Sequence, residues 1–307
     1  MYLEKRLVQY AVLLLLGFVW GSSFILMKIG LISFNSNQAA AIRIISASLV
    51  LMPFAIKHFR KLKKKDLKSL LIAGFIGSFI PAFLFTKAQT RIDSAMAGML
   101  NSLTPLFTVI IGVLLYKIKV FKLQYVGVLI GLIGAAGLIG AGETISLDSV
   151  NSYAFFIVIA TTCYGININE IKARLSHLTG VQITSMSFSF LFPVALGYLL
   201  TTDLHSPTLI EGWGYHLTAL IVLGVFGTAL AMLLMNSMIR YVPAVFASSV
   251  TYIIPIFAIG WGVVDGEDIL PMHLLFMTLI LFGVYMINTK GKIRIVGNWR
   301  MLRKKEK

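Results

Sequence analysis

The sequence has a single cysteine, Cys163, and few acids, with 12 Asp and Glu against 27 Lys and Arg in 307 residues. One cysteine excludes a disulfide within the chain and a cysteine-based metal site. The acids and the five histidines fall at or near the ends of apolar stretches, so we predict no catalytic residue, no metal site and no cofactor. A glycine-rich nucleotide loop followed by Lys and Ser or Thr is also missing, which argues against an ATP-driven pump.

Charge of either sign is scarce, since only 13% of the residues are charged while 58% are hydrophobic. The mean hydropathy is +0.87. Because soluble domains carry about 25% charged residues, these values indicate an all-α integral membrane protein that crosses the bilayer many times. A spanning helix needs about 20 apolar residues. Ten such spans are predicted, at 8–29, 38–56, 68–89, 94–116, 123–141, 151–172, 181–201, 217–237, 241–263 and 269–288.

The basic residues are distributed unevenly between the two sides of these spans. Nearly all of them precede the first span or follow an even-numbered one, whereas the loops after odd-numbered spans hold at most Lys28, Lys87 and Arg91. The positive-inside rule therefore predicts that both termini are cytoplasmic. Basic residues in this arrangement indicate topology, so we predict no nucleic-acid partner. The first apolar run reads as an uncleaved span, and no transit-peptide composition is present, which favours a prokaryotic plasma (inner) membrane.

A repeat organises the chain. Residues 98–113 read GMLNSLTPLFTVIIGV and residues 248–263 read SSVTYIIPIFAIGWGV, so that Pro105 corresponds to Pro255 with an offset of 150 positions. A proline inside a helix removes a backbone hydrogen bond and kinks the helix, and in a bilayer this is tolerated only where the defect is buried in protein or lines a cavity. We therefore predict hinges at both prolines and a binding site where the two copies meet.

The first span of each half shows the same correspondence, with Trp20 aligned to Tyr164 at an offset of 144. Five spans in each half is an odd number, so the second half must cross the membrane in the opposite direction. The sequence predicts a first five-helix repeat at 1–147, a second, inverted repeat at 148–289 and a basic cytoplasmic tail at 290–307.

Several short motifs occur together on these ten spans. They are Trp20-Gly21-Ser22-Ser23-Phe24, Arg43, Lys87-Ala88-Gln89, Asp93-Ser94-Ala95, Leu103-Thr104-Pro105-Leu106-Phe107, Pro255 and Gly266-Glu267. In this order the chain resembles an EamA-type member of the drug/metabolite transporter superfamily over nearly its whole length. The family pattern also puts Gly-Glu after the fourth span, where this sequence has Tyr116-Lys117. The resemblance implies that both repeats are EamA-like, and that the protein is a transporter, since similar members are mostly exporters of amino acids, metabolites or drugs.

Polar residues of the two proline-containing spans share helix faces. Asn101 and Thr104 lie on one face of the fourth span, and Ser248, Thr251 and Tyr252 form a similar face on the ninth. Such side chains are costly against lipid and should face the interior of the bundle. There they either line a substrate cavity or hydrogen-bond packed helices together.

The first and sixth spans contribute a second set of candidates at mid-depth: Trp20, Ser23, Tyr164 and Asn167. An aromatic ring near a midplane site can stack on a ligand and offer a hydrogen bond from its polar end. The alternative is that the rings pack in the core and the small residues permit close helix contact.

Arg43 lies within the second span, and a guanidinium there is expensive unless it is paired. It could bind a substrate carboxylate through two parallel hydrogen bonds. It could equally reach the outer headgroups or bond to carbonyls at a helix end.

Together these features predict a secondary transporter that exports a small metabolite, such as an amino acid or a similar polar or amphipathic solute, by alternating access. Two alternatives remain open, a membrane adaptor that does not transport and an intramembrane enzyme, although we predict no enzyme activity. The predicted partners are a small-molecule substrate and the lipid bilayer. Glycines between 127 and 140 permit close packing inside the chain or against a second copy, so the protein is a monomer or a homodimer.

Overall fold

The computed structural model describes residues 5–59, 62–140 and 152–289, and in these residues the chain folds as helices and loops without a β-strand. Nine helices are continuous or nearly so: α1 Arg6–Gly30, α2 Ser36–Phe59, α3 Lys64–Ala88, α4 Ser94–Tyr116, α5 Lys122–Ile139, α6 Ala154–Arg174, α7 Gly180–Leu200, α8 Trp213–Ile239 and α10 Pro271–Thr289. The remaining one, α9, consists of Ala244–Ser248, a 3₁₀ turn Ser249–Tyr252 and Ile254–Val264.

These helices confirm the predicted fold class of ten apolar helices in two inverted halves. Among the described residues, nine are long and apolar enough to cross a bilayer, and α10 has a shorter apolar stretch. The largest differences from the predicted bounds occur where α3 begins at Lys64 and α8 at Trp213, because both helices continue beyond their apolar part. The predicted boundary at 147/148 and the tail 290–307 lie outside the described residues.

Large apolar side chains are exposed on the outside of the bundle. Leu14, Leu114, Leu129 and Val264 are each more than half exposed. A soluble monomer rarely shows many such residues together. On membrane-length helices they are the surface that contacts lipid.

The two proline-containing helices are interrupted just before the proline, whereas the sequence predicted a kink at the proline itself. In α4 the first segment ends at Asn101, Ser102 and Leu103 form a turn, and the second segment begins at Thr104. Pro105 is then the second residue of a new helical segment, where its missing N–H leaves no intrahelical bond unmade. Pro255 has the same position in the second segment of α9. Both helices therefore break just before the proline, and the hinge role of the two prolines stays a prediction.

Two other helices share a rarer feature, a π-helical stretch near mid-length. It covers Ile72–Phe79 in α3 and Leu223–Leu230 in α8. Hydrogen bonds from residue i to i+5 widen the helix there, and such stretches often mark functional sites. In α8 the carbonyl of Gly227 accepts a hydrogen bond from the Trp20 indole at 2.9 Å.

Glycines in these π-helical stretches bring helices of opposite halves into close contact. A Cβ atom on Gly77 would lie 2.5 Å from Nδ2 of Asn167, and one on Gly227 would lie 2.6 Å from Oγ of Ser23. The 144-residue offset that aligns the first spans of the two halves maps Ser23 onto Asn167, and the 150-residue offset of the later spans maps Gly77 onto Gly227. The α3–α6 and α8–α1 contacts are therefore the same contact made twice, and in both the side chain of the partner helix packs against a glycine.

The glycines of α5 pack inside the chain, against α10. A Cβ atom on Gly127 would lie 2.5 Å from the carbonyl oxygen of Gly283, and one on Gly134 would lie 2.9 Å from the backbone of Phe276 and Ile280. Small residues thus serve here to bring two backbones together.

Replacing Gly283 by alanine should destabilise the protein, because the new Cβ would lie 2.5 Å from the carbonyl oxygen of Gly127 and 2.6 Å from the nitrogen of Gly131. Backbone atoms cannot rotate away, so we expect a cost of about 1–3 kcal/mol and a lower melting temperature of the purified protein in detergent. Gly197→Ala in α7 is the control, since a Cβ there meets no atom within 4 Å. Equal melting temperatures for both variants would contradict the tight α5–α10 contact.

Candidate functional site

A cavity of about 90 Å³ lies inside the bundle, between helices of both halves. A water molecule needs roughly 10–15 Å³ of such space, so the cavity has room for several waters or a small solute. Its wall contains one charged side chain, that of Arg43, and no acid. The residues that line it are Trp20, Ser23, Phe24, Met27, Arg43, Gly77, Ser78, Phe85, Asn101, Thr104, Tyr164, Asn167, Ile168, Gly227, Thr228, Met232, Met235, Asn236, Ile239, Ser248, Val250 and Thr251.

Nine of the ten residues predicted to contact substrate lie on this wall: Trp20, Ser23, Arg43, Asn101, Thr104, Tyr164, Asn167, Ser248 and Thr251. The tenth, Tyr252, is absent from the wall, and its hydroxyl donates to the carbonyl of Val284 in α10 at 3.3 Å. The cause is the 3₁₀ turn Ser249–Tyr252, in which neighbouring side chains point about 120° apart. Ser248, Val250 and Thr251 line the cavity, whereas Tyr252 points towards α10.

Positions related by the repeat occur in pairs on the cavity wall. The seven pairs are Trp20 with Tyr164, Ser23 with Asn167, Phe24 with Ile168, Gly77 with Gly227, Ser78 with Thr228, Phe85 with Met235, and Asn101 with Thr251. The two halves therefore contribute equivalent surfaces from opposite directions, as expected when a cavity forms at the interface of inverted repeats.

The Arg43 side chain points into the bundle. It is 9% exposed, and its Nε donates a hydrogen bond to Oγ1 of Thr228 at 2.7 Å. The same hydroxyl donates to the carbonyl of Leu223 at 3.2 Å. The alternative in which Arg43 reaches the outer headgroups is thus wrong, because the residue crosses to the other half instead.

The charge of Arg43 has no equivalent in the second half. The 144-residue offset maps Arg43 onto Ser187, whose hydroxyl donates to the carbonyl of Leu70 at 2.9 Å. Likewise Ser78, which corresponds to Thr228, has a buried hydroxyl without a hydrogen-bond partner in the part of the chain that the structure describes. The cavity is therefore symmetric in shape and asymmetric in charge.

Two asparagine oxygens on the wall also lack partners. Oδ1 of Asn167 and Oδ1 of Asn236 are buried and accept no hydrogen bond from any described residue. The amide of Asn236 donates to Oγ1 of Thr184 at 2.9 Å, and that hydroxyl itself donates to the carbonyl of Gly180 at 2.8 Å. Thr184 can only accept a hydrogen bond from Asn236, so the amide atom that contacts Thr184 is the nitrogen. The other amide atom, which has no partner among the described residues, is therefore the oxygen.

Aromatic side chains form another part of the wall. The ring of Tyr164 stacks on Phe85 with centroids 6.0 Å apart and an interplanar angle of 23°, and Phe24 lies 5.8 Å from Phe85. The hydrogen bond of Trp20 to Gly227 fixes the indole in place. Such rings supply a rigid apolar surface next to the polar groups.

A cluster of polar contacts joins helices of both halves on the side where α1 begins. Its centre is Glu170, which is 3% exposed, and we call it the Glu170 cluster. The carboxylate accepts hydrogen bonds from Ser69 at 2.6 Å and from the Tyr116 hydroxyl at 2.5 Å, and Arg174 lies 3.4 Å away. These contacts join α6 of the second half to α3 and α4 of the first.

A second cluster closes the opposite side and is centred on Glu267. Its carboxylate accepts hydrogen bonds from the backbone N–H groups of Ser94 and Ala95, both at 2.9 Å, and pairs with Nζ of Lys28 at 2.8 Å. Asp265 lies 2.5 Å from the same Nζ. This Glu267 cluster joins the loop after α9 to α1 and to the first turn of α4, where a negative charge is favourable.

Asp93 precedes α4 at the position of a capping residue, but its side chain makes no capping hydrogen bond. Burial raises the pKa of the Asp93 carboxyl above its usual range, and the nearby charge of Glu267 raises it further. The carboxylate that caps α4 is therefore that of Glu267, supplied by the other half.

Some residues of the wall carry a sequence signal but are missing from the predicted set. Ser78 and Thr228 each follow a mirrored glycine, Gly77 and Gly227, and polar residues at corresponding depths of two spans could have been included on that ground. Met232 and Met235 carry no such signal, because an apolar residue in an apolar span looks the same whether it faces lipid or a cavity.

Ten apolar helices in two inverted halves, with a cavity shared by both that is lined by apolar and polar side chains, define a membrane transporter with many spans. Comparison with known proteins identifies the family within this class. The chain belongs to the EamA-like transporter family, whose model matches residues 8–140 and again residues 151–289. Membership places the chain in a lipid bilayer and implies a small molecule as its substrate.

The relatives found by comparison are also transporters. The Bacillus subtilis uncharacterized transporter YetK is 27% identical over 303 residues, covering 94% of this chain and 89% of the relative. The Escherichia coli uncharacterized inner membrane transporter YedA is 25% identical over 299 residues, covering 95% and 94%. A solved crystal structure has the same fold with a TM-score of 0.63 and 14% identity, over 92% of this chain and 97% of the other.

Proposed function

We propose that the protein is a secondary carrier that exports a small polar or amphipathic metabolite, such as an amino acid, by alternating access. The observation that carries the proposal is the cavity wall, to which the two halves contribute seven pairs of positions related by the inverted repeat. In inverted-repeat transporters the substrate site lies at the repeat interface, and the two halves rock around it. Neither an enzyme nor an adaptor function needs such a wall.

The carrier also has a proposed orientation. Both termini are cytoplasmic and the membrane is a prokaryotic plasma (inner) membrane, in agreement with the uneven distribution of Lys and Arg. The relative YedA is an inner membrane transporter by name, which supports this location. The Glu170 cluster then lies on the cytoplasmic side of the cavity and the Glu267 cluster on the outer side.

The two clusters suit alternating access because each joins helices of both halves on one side of the cavity. Both clusters are formed in this structure. For export, the Glu170 cluster must separate first. The Glu267 cluster separates only after the Glu170 cluster has reformed.

Replacing Asn101 or Thr251 by alanine is expected to reduce transport about two- to tenfold while the protein still inserts into the membrane. These residues correspond in the repeat and both line the cavity, so each variant removes one polar contact from the substrate. One hydrogen bond is worth about 0.5–1.5 kcal/mol and more where the partner is charged. The measurement is counterflow in proteoliposomes with a panel of amino acids, organic acids, nucleosides and cationic dyes.

Thr278→Ala is the matched control for these variants. Thr278 lies on the exposed surface of α10 and its hydroxyl donates to the carbonyl of Leu274 one turn back, at 2.8 Å. Its loss should leave the flux unchanged. Normal flux in both Asn101→Ala and Thr251→Ala would overturn the proposed site, and absence of flux for every solute in folded wild-type protein would overturn the carrier.

A further inference from the structure

The charge of Arg43 has no ion-pair partner among the residues that the structure describes. A guanidinium has five N–H donors, and in the part of the chain that the structure describes Arg43 uses one of them, to Thr228. It forms no ion pair with any described residue, and no acid lines the cavity. An isolated charge at this depth is expensive and is retained in membrane proteins mainly where it serves the substrate pathway.

The surroundings of Arg43 argue against a purely structural role. A structural arginine would have its donors satisfied by carbonyls or a carboxylate, whereas here the four terminal N–H donors have no protein partner among the described residues. The equivalent residue, Ser187, makes the α7–α3 contact without any charge. The fold therefore tolerates an uncharged residue at this position of the repeat.

We infer that Arg43 binds a carboxylate of the transported solute, an inference that rests on the proposed carrier function. The planar guanidinium fork matches a carboxylate through two parallel N–H···O bonds. With Nε held by Thr228, the two terminal nitrogens form the edge that remains for the ligand. A phosphate ester fits less well, because its second negative charge would meet no other cation on the wall.

The two asparagine oxygens on the cavity wall define a second requirement for the solute. Asn167 and Asn236 each present a buried oxygen that lacks a donor among the described residues, and a hydrogen-bond donor on the solute would satisfy one or both. The methionines of α1 and α8 and the stacked rings of Phe85 and Tyr164 supply apolar surface for the remainder. The matching class is a small carboxylate that also carries an amino or hydroxyl group and an apolar side chain.

Four compounds of one skeleton separate these requirements: leucine, 2-hydroxy-4-methylpentanoate, 4-methylpentanoate and 3-methylbutylamine. A ligand that binds the folded state raises the melting temperature. With purified full-length protein we expect the first two to raise it most, 4-methylpentanoate to raise it less, and the amine, which has no carboxylate, to have no effect. Leucine and the hydroxy acid distinguish an amino donor from a hydroxyl donor.

Arg43→Gln should weaken the apparent affinity for the carboxylates at least tenfold, the loss expected for a charged hydrogen-bonded pair. Without ligand its melting temperature should equal or exceed that of the wild type, because the variant removes an unpaired buried charge. A structural arginine would give the opposite result. Arg43→Lys keeps the charge without the fork and should retain part of the affinity, and Arg91→Gln, an exposed arginine outside the cavity, should change neither quantity.

Binding and counterflow together separate the two proposals. Stabilisation by carboxylates that is lost in Arg43→Gln supports the inference, and if no counterflow accompanies it, the carrier function is wrong. Counterflow of uncharged or cationic solutes that is unaffected in Arg43→Gln supports the carrier and overturns the carboxylate site. Equal stabilisation by the amine and the carboxylates, or by none of the four compounds, also overturns it.

Discussion

Replacing Glu267 by glutamine is expected to shift the protein towards the outward-open form by a factor between about ten and a hundred. The substitution keeps the size of the side chain but removes the charge that pairs with Lys28 and caps α4. A hydrogen bond to a charged group contributes about 1.5–3 kcal/mol, and 1.4 kcal/mol is a factor of ten in an equilibrium. Glu267→Gln removes this stabilisation only from conformations in which the outer side is closed. The conformational equilibrium therefore shifts towards the outward-open form.

Accessibility of a cavity cysteine measures this shift. Cys163 is the one native cysteine, so Ser23→Cys in a Cys163→Ala background places a unique thiol on the cavity wall. A membrane-impermeant maleimide applied from the outer side should label it at least ten times faster in Glu267→Gln. Glu211→Gln, which alters an exposed acid in the loop before α8, is the matched control. Equal labelling rates in the wild type and Glu267→Gln would show that the cluster does not hold the outer side closed.

The second large effect is expected from Glu170→Gln and has the opposite direction. Glu170 accepts hydrogen bonds from Ser69 on one oxygen and from Tyr116 on the other, and it lies next to Arg174. Glutamine has no charge and replaces one of the two accepting oxygens by an NH2 group that donates. The inward-open form should gain population by a similar factor, since both contacts cross between the halves.

Maleimide labelling of Ser23→Cys measures this change, with the reagent applied from the cytoplasmic side and from the outer side in separate experiments. In Glu170→Gln, labelling from the cytoplasmic side should rise about tenfold or more, while labelling from the outer side should fall. The double variant with Glu267→Gln should return towards the wild-type ratio, because each substitution favours a different open form. A rise from both sides in Glu170→Gln alone would indicate a loosened bundle and no alternation.

Much of this architecture could be predicted from the sequence because a bilayer restricts what a chain can do. Backbone groups must be paired within helices, so ten apolar stretches and an internal repeat sufficed for the fold class. The two repeat offsets, 144 and 150, relate six of the nine predicted residues of the cavity wall in pairs. The polar residues were identifiable since their presence in an apolar span needs a reason.

The remaining features depend on geometry that the sequence does not encode locally. The bond from Arg43 to Thr228 joins residues 185 positions apart and follows from helix rotation, which one sequence does not fix. Tyr252 was placed on the wrong face because regular α-helical spacing was assumed where the chain forms a 3₁₀ turn. The burial of Glu170 was missed for a similar reason, since a residue near the end of a span can still lie under neighbouring helices.

The π-helical stretches in α3 and α8 have a further consequence, for changes in chain length. In an ordinary α-helix one inserted or deleted residue turns everything beyond it by about 100°, which would carry an inward-facing side chain towards lipid. A π turn already contains a surplus residue, so Ile72–Phe79 and Leu223–Leu230 can lose one and tighten to regular α-helix over a short distance. These two stretches are therefore where members of the family can differ in length by one residue inside a span while the rest of each helix keeps its orientation.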